Sequence, residues 1–222
     1  MRVGCFLSSE QHAAPDLVAQ AQGAERAGFA GLWISDHFHP CNDAPGHSPF
    51  VWSTIGAIAQ ATERTPLTTG VTCPTVRIHP AVIAHAAATS ATLMEGRFNL
   101  GVALARRSPS RSSSPASGRG RSSWPSTSAT ASARPSRRRR RPQLPQLLPV
   151  PAHFEQACEL VDEDMVAGAI PCGPDLGPHL ERLERYEQAG FHEVYVRQVG
   201  PDHAGFFAAY EREILRRYPA AG

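Results

Sequence analysis

The chain contains no lysine: all 22 of its basic residues are arginine. Acidic residues are missing from a long central stretch, with no Asp or Glu between Glu95 and Glu155, and 11 of the arginines fall between Ala105 and Val150. Elsewhere 11 arginines face 20 acids, so the net charge of +2 averages two unlike kinds of sequence and describes neither. The five cysteines, Cys5, Cys41, Cys73, Cys158 and Cys172, are odd in number and widely spaced, with no Cys-x-x-Cys pair. That excludes a disulfide framework and a thiolate zinc site as first readings, and reduced thiols are expected. No apolar run approaches the roughly 20 residues of a membrane span. Residues 1–7 read as a strand and not as a charged-then-apolar leader. No membrane partner is expected, and a cytoplasmic location is.

What is present is a repeated strand-helix pattern. Arg2 to Leu7 reads as a strand. Pro15-Asp16 then opens a helix whose apolar positions Leu17, Val18, Ala21, Ala24 and Ala27 keep helical spacing, closed by Gly28. Gly31 to Ile34, Leu67 to Thr72 and Phe98 to Val102 supply further strands. Between them, helices are predicted from Phe50 to Ala61 and from Pro80 to about Met94. Near the other end, Asp162 caps a short helix, Ala169 to Gly173 reads as a short strand and turn, and Pro174 to Gly190 as a helix with Leu180, Leu183 and Tyr186 inward. Val194 to Val196 reads as the last strand and Phe206 to Tyr218 as the last helix. Consecutive βα units with right-handed crossovers imply a parallel sheet or barrel. The 222 residues suffice for one sizeable core but fall short of the roughly 250 typical of a complete eight-fold barrel.

Chemistry concentrates in Gly31-Leu32-Trp33-Ile34-Ser35-Asp36-His37-Phe38-His39-Pro40, where a buried strand runs into ionisable residues. In a (β/α) barrel the carboxyl end of a strand faces the active site. Asp36, His37, His39 and His47 could be weighed as metal ligands, but His37 and His39 point to opposite sides of an extended chain, so no metal site is assigned.

Several segments in order carry a resemblance: Ala27-Gly28-Phe29, Gly31 through Pro40, Ser48-Pro49-Phe50, Gly70-Val71-Thr72-Cys73-Pro74-Thr75, His79 through Ala84, and Gly96-Arg97-Phe98-Asn99-Leu100-Gly101-Val102. Pro171 to Asp175 and Ala189 through Val196 extend it to about three quarters of the chain. This text resembles the luciferase-like monooxygenase superfamily, and within it the F420-dependent oxidoreductases similar to the F420-dependent glucose-6-phosphate dehydrogenases.

The resemblance implies a (β/α)8 TIM barrel of the luciferase-like type, with coenzyme F420 lying at the carboxyl ends of the strands and hydride passing between a small organic substrate and the deazaflavin. It further implies that His37 is catalytic, that Asp36 lies near the deazaflavin ring, and that Gly70 and Val71 bind the cofactor through a non-proline cis peptide. An imidazole titrating near neutrality suits the proton released when an alcohol becomes a carbonyl. Cys41 stands where the sugar-phosphate dehydrogenases have tryptophan, which argues against glucose 6-phosphate as substrate, and Gly70 where they have serine, which removes a side-chain hydroxyl beside the cofactor. An FMN-dependent monooxygenase of the same superfamily is the neighbouring alternative, and a homodimer is compatible with either.

After Val102 the family continues with a catalytic glutamate, whereas this chain reads Ala103-Leu104-Ala105-Arg106-Arg107. Reading the same codons from their third base permits a text with glutamate in the family's place, so a frameshift over about 103–150 is the expected origin. Resequencing the gene tests it. Twelve serines, seven prolines and eleven arginines with few apolar residues cannot offset backbone ordering, so disorder is expected from about 105 to 150. Three parts follow: 1–104 as the N-terminal βα units, 105–150 as a low-complexity basic segment, and 151–222 as the C-terminal units. The barrel is thus expected to be incomplete, and catalysis by this chain stays open. Arg137 to Arg141 could contact phosphates, which leaves a non-catalytic remnant or basic interaction protein as the reading of another class. Without interleaved aromatics beyond Trp124, nucleic acid is not an expected partner. The helix start at Gly173-Pro174-Asp175 would offer free N–H groups to an anion, against the charge of Asp175.

Overall fold

Buried and half-buried residues alternate along Leu32–Ile34 and Leu67–Thr69, and Val3, Cys5 and Leu7 share one buried face of the first strand. In the computed structural model, residues 1–40, 46–74, 77–103, 156 and 158–220 are described. The strands are β1 (Arg2–Leu7), β2 (Leu32–Ile34), β3 (Leu67–Thr69), β4 (Phe98–Asn99) and β5 (Glu193–Val196). The helices are α1 (Ala14–Ala27), α2 (Val51–Ala61), α3 (Pro80–Leu93), α4 (Glu163–Ala169), α5 (Gly177–Gln188) and α6 (His203–Ala209), the last running into a π-helical turn, Tyr210–Ile214.

All four strand pairings are parallel, in the order β4-β3-β2-β1-β5. The first four strands stand in consecutive order, and the last lies on the free side of the first. An interrupted ring has this order: a closed barrel would join its remaining edges, here β4 and β5. The fold is α/β, an open arc of parallel strands with the direction expected of consecutive βα units, among the described residues.

The helix-facing side carries Val3, Cys5, Leu7, Leu32, Ile34 and Leu67, all buried under Leu17, Ala21 and Ala24 of α1, Ile55 and Ile58 of α2, and Phe207, Tyr210 and Ile214 at the C-terminal end. Each fully buried Leu or Ile contributes about 1.5–3 kcal/mol. Burial pushes the Cys5 thiol up to about 12, so it stays protonated and inert. Gly4, Phe6, Trp33, Thr68 and Tyr195 share the opposite, concave face by register. There Trp33 stacks on Tyr195, with ring centroids 4.5 Å apart and planes at 23°. A side chain at Gly4 would meet that tyrosine ring at 2.3 Å, which explains the glycine.

Local signals account for the helix ends. Gly28 closes α1 at φ 90°, in the left-handed region, and its N–H donates back into the helix. Pro80 occupies the first turn of α3, where His79 Nδ1 accepts the Ala81 N–H at 3.2 Å. Asp162 Oδ1 caps α4 by accepting from Met165 at 2.7 Å.

Four expectations need correction. β3 ends at Thr69 instead of Thr72 and β4 at Asn99 instead of Val102, because the Thr69 hydroxyl both donates to the Gly101 carbonyl and accepts the Gly101 N–H, each at 3.0 Å, in place of ladder bonds. Pairing then resumes only as an isolated bridge between Thr72 and Val102. Ala169 to Gly173 forms no strand: Ala169 ends α4, and the exposed Ile170 has no neighbouring strand among the described residues. The last helix starts at His203, three residues early, because Asp202 Oδ1 accepts the Gly205 N–H at 2.8 Å and caps it. Cys41 and the whole of the expected basic segment, within 104–155, lie outside the described residues.

Candidate active site

Parallel strands that share a direction deliver their following loops to one rim, and the residues after β1, β2, β3 and β4 converge there. The loop after β1 is held to the loop after β2 by buried serines. The Ser9 N–H donates to Ser35 Oγ at 2.8 Å, and Ser9 Oγ donates to the Ser35 carbonyl at 2.7 Å. This fixes the backbone immediately before Asp36.

The Asp36 side chain is only 2% exposed. Thr72 Oγ1, from the loop after β3, donates to its Oδ2 at 2.8 Å, and the Arg77 guanidinium pairs with its Oδ1. A buried carboxylate without such partners would be costly. His37 takes the other direction: its Nδ1 lies 3.3 Å from Glu10 Oε1 of the β1 loop, and its side chain is 43% exposed at the rim. Ser48 Oγ donates to the His37 carbonyl at 2.8 Å, fixing the backbone there. His39 Nδ1 turns away to the Pro40 carbonyl at 2.9 Å. Among the described residues no group of three or more His, Cys, Asp or Glu side chains could hold a metal ion.

The Gly70–Val71 peptide is cis, as the resemblance implied, and Val71 is half-exposed. A Cβ at Gly70 would meet the Trp33 ring at 2.9 Å, so the backbone there lies directly over that indole. The four residues singled out from sequence therefore divide. Asp36 is enclosed by the β2 and β3 loops, His37 and Val71 are half-open at strand ends, and Gly70 packs on Trp33. Sequence reading did not assign roles to Glu10, Thr72 and Arg77. Arg77 carried one signal, as the single basic residue between Arg64 and Arg97.

Two cavities lie away from this cluster. One, of about 470 Å³, runs between α1 and α6 and is lined by His12, Asp16, Gln20, Arg26, His203 and Phe207, among others. A smaller one, of about 280 Å³, lies between α1 and α2 beside Phe50. At the rim itself, His37 and Val71 are the partly exposed side chains of the two neighbouring strand ends. At the helix start after Gly173, Asp175 Oδ1 accepts the Gly177 N–H at 2.9 Å, so the chain's own carboxylate takes one of the N–H groups that would face an anion.

The luciferase-like monooxygenase family matches residues 1–113, just over half of the 222. The chain belongs to that family. Among its relatives, the F420-dependent hydroxymycolic acid dehydrogenase of Mycobacterium tuberculosis is 47% identical over 105 residues, covering 47% of this chain and 29% of that protein. The F420-dependent glucose-6-phosphate dehydrogenase of Beutenbergia cavernae is 45% identical over 102 residues, covering 46% of this chain and 30% of that protein. A solved F420-dependent secondary alcohol dehydrogenase in complex with an F420-acetone adduct aligns with TM-score 0.44 and 38% identity, over 46% of this chain and 31% of that one. The chain thus spans about three tenths of the length of the relatives it matches. These matches cover less than the three quarters expected from sequence: the family match ends at residue 113, and the C-terminal segments Pro171 to Asp175 and Ala189 to Val196 lie beyond it.

Proposed function

We propose that this chain is an F420-dependent oxidoreductase scaffold whose strand-end rim binds the deazaflavin and presents a small organic substrate to it. The observation that carries the reading is the joining of Asp36, Thr72 and Arg77 across the β2 and β3 loops, within the segment shared with F420-dependent dehydrogenases. The residues present fit such a group. His37 and Val71 are half-open on the ends of neighbouring strands, where a planar ring could rest, while Asp36 supports the ledge from below. When bound, the deazaflavin supplies the carbon that accepts or gives up a hydride.

The chain's own residues would do the rest. Glu10 holds His37 Nδ1, which leaves Nε2 as the ring atom that exchanges a proton with a substrate hydroxyl. The Gly70–Val71 backbone, propped on Trp33, and the Asp36 cluster position the ring. The family's glutamate after the fourth strand has no counterpart in this sequence, so cofactor binding and not turnover is the direct readout. Titrating the purified chain with F420 and, separately, with FMN tests the reading. Quenching of F420 fluorescence with no response to FMN supports it. Binding of FMN alone favours the monooxygenase alternative, and binding of neither marks a non-catalytic remnant.

A further inference from the structure

Among the described residues, Arg77 is the one basic side chain that reaches the buried carboxylate of Asp36. Its guanidinium also lies 6.0 Å from the centroid of the Phe38 ring, so one side chain touches both the first and the third residue after Ser35. Arg77 comes from the loop that follows β3, and Asp36 and Phe38 from the loop that follows β2. These two loops also carry Val71 and His37, the half-open residues between which a planar cofactor would lie. Thr72 holds the second carboxylate oxygen from the same side as Arg77.

The geometry points to Arg77 as a positioning residue: it neutralises Asp36 and staples the β2 loop to the β3 loop, setting the gap in which the cofactor ring sits without touching the ring itself. The part concerning the ring rests on the functional reading above; the counter-charge stands on the pair alone. Removing the guanidinium strands a carboxylate that is 2% exposed, so the loops must part to hydrate it. Removing both charges relieves that demand. A residue that merely fills space would show no such dependence on its partner.

The test compares wild type, Arg77→Met, Arg77→Lys and Asp36→Asn/Arg77→Met as full chains, by thermal midpoint without cofactor and by F420 fluorescence titration. Arg77→Met is expected to lower the midpoint and weaken F420 binding about tenfold, and Arg77→Lys to fall between it and wild type. The double variant is expected to recover most of the midpoint and to bind F420 at least about threefold more tightly than Arg77→Met. A double variant no more stable than Arg77→Met overturns the inference, as does an Arg77→Met midpoint equal to wild type. If Arg77→Met fails to fold, recovery of folded protein in the double variant supports the pairing and its absence overturns it. A wild type that ignores F420 sinks the functional reading, and the midpoints still decide the counter-charge.

Discussion

Thr72 Oγ1 donates to Asp36 Oδ2 at 2.8 Å, joining two loops that lie 36 residues apart in sequence. The bond closes one side of a carboxylate whose other oxygen is held by Arg77, so the enclosure is complete only while both partners are present. Thr72→Val keeps the shape and removes the donor. F420 affinity is expected to fall about threefold to tenfold, consistent with the loss of a hydrogen bond to a charged acceptor, with a smaller change for Thr72→Ser. Fluorescence titration of the two variants side by side checks it.

Gly101 tests how closely β4 and β3 must approach. A Cβ at that position would stand 2.0 Å from the Thr69 carbonyl oxygen, a backbone atom that cannot swing aside. Gly101→Ala is expected to cost on the order of 2–3 kcal/mol through backbone displacement and loss of the paired Thr69 bonds. Urea denaturation monitored by circular dichroism measures it. A midpoint equal to wild type contradicts the packing described.

Glu25 ties the end of α1 to the loop before β3. Burial raises its carboxyl pKa, but the N–H groups of Glu63, Arg64 and Thr65 outweigh that and bring it from 4.5 down to about 2. The folded state therefore binds its proton more weakly than the unfolded chain does. This contribution is full above about pH 4.5 and is lost as pH falls towards 2. Glu25→Gln is expected to cost on the order of 1 kcal/mol at neutral pH, reduced by its partial exposure, and to flatten that part of the acid limb. Stability measured from pH 6 down to about 2.5 tests both.

A second pH dependence lies at the seam between the first and last units. The His12 and His203 rings meet edge-on, centroids 4.8 Å apart, and the Nε2 of each is buried without a hydrogen-bond partner among the described residues. Desolvation lowers both pKa values from 6.5. The His203 imidazole, Arg197 and the His47 imidazole further lower His12, while Asp16 opposes the shift at both rings and Asp202 at His203. The unfolded chain takes up these protons more readily, so the seam's stability is complete above about pH 6.5 and falls as pH drops through the lowered folded values. The thermal midpoint is expected to fall by a few degrees more between pH 7.5 and 5.5 in wild type than in His12→Gln/His203→Gln.

Local rules made much of the arc legible. Gly28, Pro80 and Asp162 marked helix ends by backbone conformation and capping, which depend on near neighbours alone. Parallel strand direction followed from consecutive βα units. What sequence could not show was pairing across long separations. Nothing in the text around Arg77 announces a carboxylate 41 residues earlier, and Glu10 lies outside every motif that carried the resemblance. Thr69 ended β3 early by spending its side chain on Gly101, a choice that depends on where β4 arrives. The Ala169 to Gly173 segment had strand-like text but no partner strand, and pairing, not propensity, decides such a case.

The central claim is that the ledge formed by His37, Val71 and the Asp36 cluster holds a deazaflavin. Equilibrium titration of F420 with wild type, His37→Ala and Asp36→Ala, each first shown to be folded by circular dichroism, tests it most directly. The expected result is saturable quenching by wild type that is weakened at least about tenfold in both variants. Equal quenching by all three proteins, or none by wild type, contradicts the assignment.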